Sequence, residues 1–250
     1  MPSTTEETLP QGPDYVRIRV LLYGSSKDDP VSDDRFGDHQ RRVEIIFSLK
    51  LPRANMPPND ILQYATDFIN LYYPCLKHTQ KWHCEFCDLP ARMSQQDVSS
   101  WCSRTPPHVL IYYHFVCDPR SGPCADNLRI IQRQMARVNG LPTPRRPRNR
   151  EDPFEFPPMA ACAGCEHEET VDMPTLKCSS CDLTRYCSVA CQRAHWPEHK
   201  VFCKTPKVVK WVWPSAGELQ EPREQVMPGS LQASEADDAA DSPSQGCSIQ

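Results

Sequence analysis

Residues 162–203 read CAGCEHEETVDMPTLKCSSCDLTRYCSVACQRAHWPEHKVFC. The ligand-type residues fall as C-x2-C-x12-C-x2-C-x5-C-x3-C-x7-H-x3-C, which are Cys162, Cys165, Cys178, Cys181, Cys187, Cys191, His199 and Cys203. Eight such residues make two sets of four, the requirement of two tetrahedral zinc ions. Two residues between paired thiols allow a tight turn that aims both sulfurs at one ion. Cys187 and Cys191 are four apart, as are His199 and Cys203, so each pair falls on one face of a helical turn. Pro197 is expected to separate two short helices, at a position that suits a helix start. His195 competes with His199 as ligand, but only His199 stands four residues before Cys203. So short a block has little apolar surface to bury, and metal binding would supply its folding free energy.

The whole chain favours metal over disulfides for its 14 cysteines. Met1 to Gly12 is polar and acidic and lacks the apolar core of a signal peptide. No run of about 18 apolar residues occurs, so no membrane-spanning helix is expected. The reading is an intracellular protein, cytoplasmic or nuclear, whose thiols stay reduced. With 28 Lys and Arg against 32 Asp and Glu, the chain has no global attraction for nucleic acid or anionic membrane. Only 39% of residues are hydrophobic and 26 are Pro, so part of the chain is expected to stay disordered.

The block resembles an MYND-type zinc finger, above all in Arg185-Tyr186-Cys187-Ser188, Cys191-Gln192, Trp196, His199, Lys200 and Cys203. The resemblance spans about 42 of the 250 residues, and all eight ligand positions match. It implies interleaved pairs, with one zinc on Cys162, Cys165, Cys187 and Cys191 and the other on Cys178, Cys181, His199 and Cys203. It also implies a protein-interaction module that docks short Pro-containing peptides in a shallow groove, an economical mode because a polyproline segment loses little entropy on binding. Gln192, Arg193 and Glu198 are the guesses for groove-shaping groups.

Outward from the finger, residues 14–140 read as a small α+β domain. Val16, Ile18, Val20 and Leu22 alternate on one strand, and Val43, Ile45, Phe47 and Leu49 on a second, which together predict a half-buried pair. Asn59 is the expected cap of a helix with Ile61, Leu62, Ala65, Phe68 and Ile69 on one stripe. After a loop, His108 to Val116 reads as a third strand. Ala125 to Val138 reads as a second helix, with Leu128, Ile131, Met135 and Val138 inward and Gly140 as its stop. The same domain carries Cys84 and Cys87, then Cys117 at a strand end and Cys124 at a helix start, where a thiolate is favoured. These four are the expected ligands of a third zinc, with His114 as the competing ligand through its H-x2-C spacing to Cys117; the alternative is four buried free thiols. The segment is also similar to the N-terminal region of uncharacterised fungal MYND-finger proteins.

The remaining chain divides into a disordered leader at 1–13, a Pro- and Arg-rich linker at 141–160, the finger at 161–204, an apolar extension at 205–214 and an acidic disordered tail at 215–250. Lys207 to Trp213 is too apolar for a free tail and is expected to add a strand or to pack on a zinc unit. The chain ends Cys247-Ser248-Ile249-Gln250, a C-a-a-X box of the type that favours farnesyl on Cys247. Asp237, Asp238 and Asp241 are nearby and acidic, so such a lipid would give only weak, reversible membrane association. Cys75 is left as a core or surface thiol, and Cys102 is placed in the loop before the third strand.

Eight filled ligand positions leave no open coordination site, so the zinc reads as structural and no catalytic residue is assigned. MYND fingers also occur in SET-domain lysine methyltransferases, but the Asn-His-x-Cys signature of those enzymes does not appear. A zinc deaminase would need H-x-E followed by P-C-x-x-C; His167-Glu168-Glu169 fits the first half, while Pro123-Cys124 lies upstream with Asn127 at the second thiol's place. A basic base-reading helix is missing, so direct nucleic-acid binding is not expected. The sequence therefore points to a zinc-binding adaptor for protein partners. The alternatives are a regulator recruited to chromatin or nucleic acid, or a remnant of a SET/MYND-type lysine methyltransferase.

Overall fold

A computed structural model describes residues 9–26, 40–87, 89–138, 140, 142, 155–205 and 207–213. Its frame is an α+β fold built on the two strands that alternate most clearly. Strand β1 (Tyr15–Tyr23) pairs antiparallel with β2 (Arg42–Lys50), opposing Ile18 to Phe47 and Val20 to Ile45. Val16, Ile18, Val20, Leu22, Val43, Ile45, Phe47 and Leu49 are all buried on one face, as their period of two requires.

Helix α1 (Pro58–Leu71) carries the expected stripe, with Ile61, Leu62, Ala65 and Ile69 buried. Phe68 sits at the stripe's edge, its ring 5.7 Å from that of Phe47. Asn59 is not the cap: Pro57 occupies that position and Pro58 begins the first turn, so the helix starts on proline's fixed φ instead of a side-chain hydrogen bond. A short helix, α2 (Tyr73–Lys77), follows at once.

Strand β3 (Met93–Trp101) stands where a loop was expected. Its sequence, MSQQDVSSW, is almost wholly polar because it forms a sheet edge and most of its residues are only half-buried. It pairs antiparallel with β4 (His108–Val116), and Cys102, just beyond it, is buried in the core at 5% exposure. Strand β4 runs parallel to β1, which the intervening helices make feasible. Helix α3 (Gly122–Val138) begins three residues earlier than expected, and Val138 is 82% exposed, contrary to the inward assignment. The chain has turned away by there, since Gly140 at φ 64° sits in the left-handed region that ends helices.

The finger region contributes a two-residue pair, β5 (Leu176–Lys177) with β6 (Arg185–Tyr186), then helix α4 (Val189–Lys204). Helix α4 continues through Pro197, so the expected separation into two helices is corrected: proline removes one hydrogen bond but its φ is helical. The apolar extension becomes β7 (Lys207–Val212), antiparallel to β2, which completes a five-stranded sheet in the order β3-β4-β1-β2-β7. Val208 packs there with Leu9 and Ile46.

The finger and the sheet share one core. Met159, Leu183 and Phe202 are buried in the same cluster as Val16, Phe47 and Leu76, and the Phe202 ring lies 5.9 Å from those of Phe47 and Tyr72. Backbone hydrogen bonds cross the junction: Met159 N–H donates to Ala91 O at 2.7 Å, and Arg185 N–H to His78 O at 3.0 Å. Lys77 pairs with Glu166 at 2.7 Å, and Lys81 pairs with Glu169. Among the described residues no helix is long and apolar enough to cross a membrane.

Candidate metal centres

Among the described residues, three groups of four Cys or His side chains bring their ligand atoms within 4.8 Å of one another. They are Cys84, Cys87, Cys117 and Cys124; Cys162, Cys165, Cys187 and Cys191; and Cys178, Cys181, His199 and Cys203.

In the first finger cluster, Cys162 and Cys165 flank a turn in which Gly164 N–H donates to Cys162 Sγ at 3.3 Å. A Cβ at Gly164 would lie 2.8 Å from Cys191 O, so glycine lets the turn approach the helix that faces it. Ser188 caps α4 by accepting from Cys191 N–H at 3.2 Å, which fixes the first turn on which Cys191 sits. Cys187 Sγ is 3.6 Å from Cys165 Sγ and 3.5 Å from Cys191 Sγ. Burial raises the pKa of Cys162, but backbone N–H groups of Cys187, Cys165 and Gly164 outweigh it and leave the thiol at about 7.

The second finger cluster joins the loop to the far end of the same helix. Cys178 Sγ lies 3.9 Å from Cys203 Sγ, and His199 Nε2 lies 3.6 Å from Cys181 Sγ. Burial, with His195 and Lys207 nearby, holds His199 down to about 4, so its imidazole is neutral near pH 7, the form that ligates metal. Gln192, guessed to be a groove residue, donates from Nε2 to Cys178 Sγ at 3.2 Å. Arg193 and Glu198 are exposed. His195 stays outside the cluster, its Nδ1 2.9 Å from the Tyr186 hydroxyl.

The upstream cluster gathers around the end of β4. Cys87 Sγ and Cys117 Sγ are 3.7 Å apart, and Cys124 comes from the first turn of α3. His114 is not in this group. It points to Glu85 instead, Nδ1 to Oε2 at 2.8 Å, while Gln40 holds the other carboxylate oxygen at 2.6 Å. Burial would lower the His114 pKa, and the Glu85 carboxylate more than offsets it. Burial pushes Cys84 and Cys117 up and Cys124 up to about 12, as it does Cys187 and Cys203 in the finger, so for these thiols the metal itself must favour the thiolates.

The spacing fits zinc. Sulfurs about 2.3 Å from a tetrahedral ion stand about 3.8 Å from each other, and the sulfur pairs above span 3.5–3.9 Å. A disulfide would need about 2.05 Å. The three clusters are therefore suited to bind zinc, two in the finger and one upstream.

Sequence spacing pointed to all twelve side chains. It missed two groups that touch them, Gln192 as a donor to a cluster sulfur and Cys75, whose Sγ lies 3.2 Å from His199 Nδ1. No local signal marks Cys75, because its contact spans 124 positions. Cys247 lies outside the described residues.

Residues 161–203 match the MYND finger family, a zinc-binding and non-catalytic module that generally mediates protein–protein interaction. The chain is 39% identical over 49 residues to the SET domain and MYND-type zinc finger protein 6 of Schizosaccharomyces pombe, covering 20% of this chain and 10% of that protein. It is 35% identical over 85 residues to the human histone-lysine N-methyltransferase SMYD3, covering 31% of this chain and 20% of that protein. The chain thus spans a tenth to a fifth of the length of these curated relatives. No solved structure matches it.

Proposed function

We propose that this protein is a zinc-held adaptor that binds protein partners through its MYND finger and has no catalytic activity of its own. The observation that carries this reading is the trio of four-donor clusters, each with a full tetrahedral ligand set and no donor position left for a substrate. In this reading Cys162, Cys165, Cys187 and Cys191 hold one zinc and Cys178, Cys181, His199 and Cys203 a second. Cys84, Cys87, Cys117 and Cys124 hold a third, which ties α3 to the end of β4. The partner is a short Pro-containing segment, and the exposed Arg193 and Glu198 on α4 belong to the docking surface. Reduced thiols require the cytosol or nucleus. Farnesyl on Cys247 would add weak membrane affinity without altering the chemistry.

Native mass spectrometry of the reduced full chain is expected to count three zinc ions. A fluorescence-polarisation screen of Pro-containing peptides should then yield binders whose affinity drops on zinc chelation and on Glu198→Arg. Binding that survives full zinc removal would sink the adaptor reading, and so would methyl transfer to a histone substrate by the purified chain.

A further inference from the structure

His199 is held at both edges of its ring. Nε2 faces into the second finger cluster, 3.6 Å from Cys181 Sγ, and Nδ1 faces out toward Cys75 Sγ at 3.2 Å. Cys75 is 2% exposed and His199 is fully buried, so no water competes for that contact. Cys75 belongs to α2 in the N-terminal part of the molecule. Its backbone is fixed from the finger side, where Thr184 Oγ1 donates to Cys75 O at 3.3 Å. The rings of Tyr186, Trp196 and Phe202 lie 5.8–6.0 Å from the imidazole and leave it little room to turn.

An imidazole that ligates metal through Nε2 carries its proton on Nδ1, and the group accepting that proton sets both tautomer and ring orientation. We propose that Cys75 is this acceptor, a positioning residue outside the finger through which the N-terminal sheet domain sets how firmly the finger's second zinc is held. The inference rests on the reading of Cys178, Cys181, His199 and Cys203 as zinc ligands. It makes that site a composite of two parts of the chain: the finger supplies four ligands, and the domain before it supplies the hydrogen-bond partner of one. The first finger cluster has no comparable link, because all four of its donors are thiols and none needs an outer partner to fix a tautomer.

The test uses the full chain, with zinc counted by native mass spectrometry and its release to a chromogenic chelator followed in time. In Cys75→Ala, one zinc of three should leave about 10- to 100-fold faster than in the wild type, with the other two unchanged. Cys75→Ser keeps an acceptor and should recover most of the retention. Cys102→Ala removes an equally buried thiol from the same core, away from His199, and should release zinc as the wild type does. Equal acceleration in Cys102→Ala and Cys75→Ala, or no rescue by Ser, would overturn the proposal, since the effect would then be loss of core packing. Independently of any variant folding, nitrogen-15 NMR of the zinc-loaded wild type should find the His199 proton on Nδ1; a proton on Nε2 overturns it. A wild-type chain that retains fewer than two zinc ions in the finger would fail the ligand reading itself, a separate result.

Discussion

At Gly24 the chain passes directly over an indole. A Cβ there would stand 2.6 Å from Trp82 Cε3 and 3.2 Å from His83 O, and Trp82 is fully buried between Phe115 and Trp213. The ring cannot retreat, so Gly24→Ala is expected to cost about 1–3 kcal/mol, read as a lower midpoint in denaturant. Single residues show what a sequence can and cannot reveal about the clusters. Paired thiols two or four apart announce themselves, because turn and helix geometry convert short spacing into convergence. The choice of His199 over His195 was legible for the same reason. Cys124 was the expected ligand as well, but what removes its competitor His114 is not local: Glu85, from the loop before β3, holds the His114 ring at 2.8 Å. Cys75 and Gln192 were equally hidden, since the groups they meet lie 124 and 14 positions away, on other elements.

Elements with two distinct faces were readable and those without were not. Strands β1 and β2 alternate over most of their length because one face is core, although Leu21 and Ile46 on the other face are buried too, and α1 shows its stripe for the same reason. The edge strand β3 offers only Val98 as an aliphatic signal between its ends, so its polar sequence resembles a loop. Helix α4 looked divided at Pro197 because proline suits the first turn of a helix; here one helix runs through it, with Ser188 securing the start and Lys207 the finish. Lys207 Nζ donates to the carbonyls of Phe202, Cys203 and Thr205 at 2.6, 3.2 and 3.1 Å and lies 4.7 Å from the Phe202 ring centre. It thus satisfies the last carbonyls of the helix that carries His199 and Cys203. Lys207→Met should cost about 1–2 kcal/mol of stability and increase amide exchange in the last turn of α4, while leaving exchange in β1 unchanged.

Across the whole molecule, His78 lies at the junction of sheet and finger. It donates from Nδ1 to Met159 O at 3.1 Å, and its own carbonyl accepts from Arg185 N–H. Burial, aided by Lys77, holds its pKa down to about 4 against 6.5 when exposed. Between those values the unfolded chain binds a proton that the folded chain excludes. The stability this represents is therefore intact above about pH 6.5 and is lost as pH falls toward 4, by up to about 3 kcal/mol. His78→Gln, which cannot titrate, should flatten the acid limb of the stability–pH curve over that window; an unchanged limb would assign the loss to other groups. The sharing of one core by finger and sheet was the feature least visible in the sequence. It depends on Met159, Leu183 and Phe202 finding a surface made by residues far earlier in the chain.

Strand β7 returns to β2 only after the finger has been threaded between them. On the ribosome, β2 therefore emerges with an open edge and must wait about ten seconds or more for its neighbour, at ordinary elongation rates. During that interval its row of unpaired amides is the kind of edge that recruits other strands. On the proposed reading, zinc capture by the finger would draw the end of α4 onto Phe47 and Tyr72 and so deliver β7 to its place. Metal supply would then act as a timer on biosynthesis, with β2 left uncovered for longer when zinc is scarce.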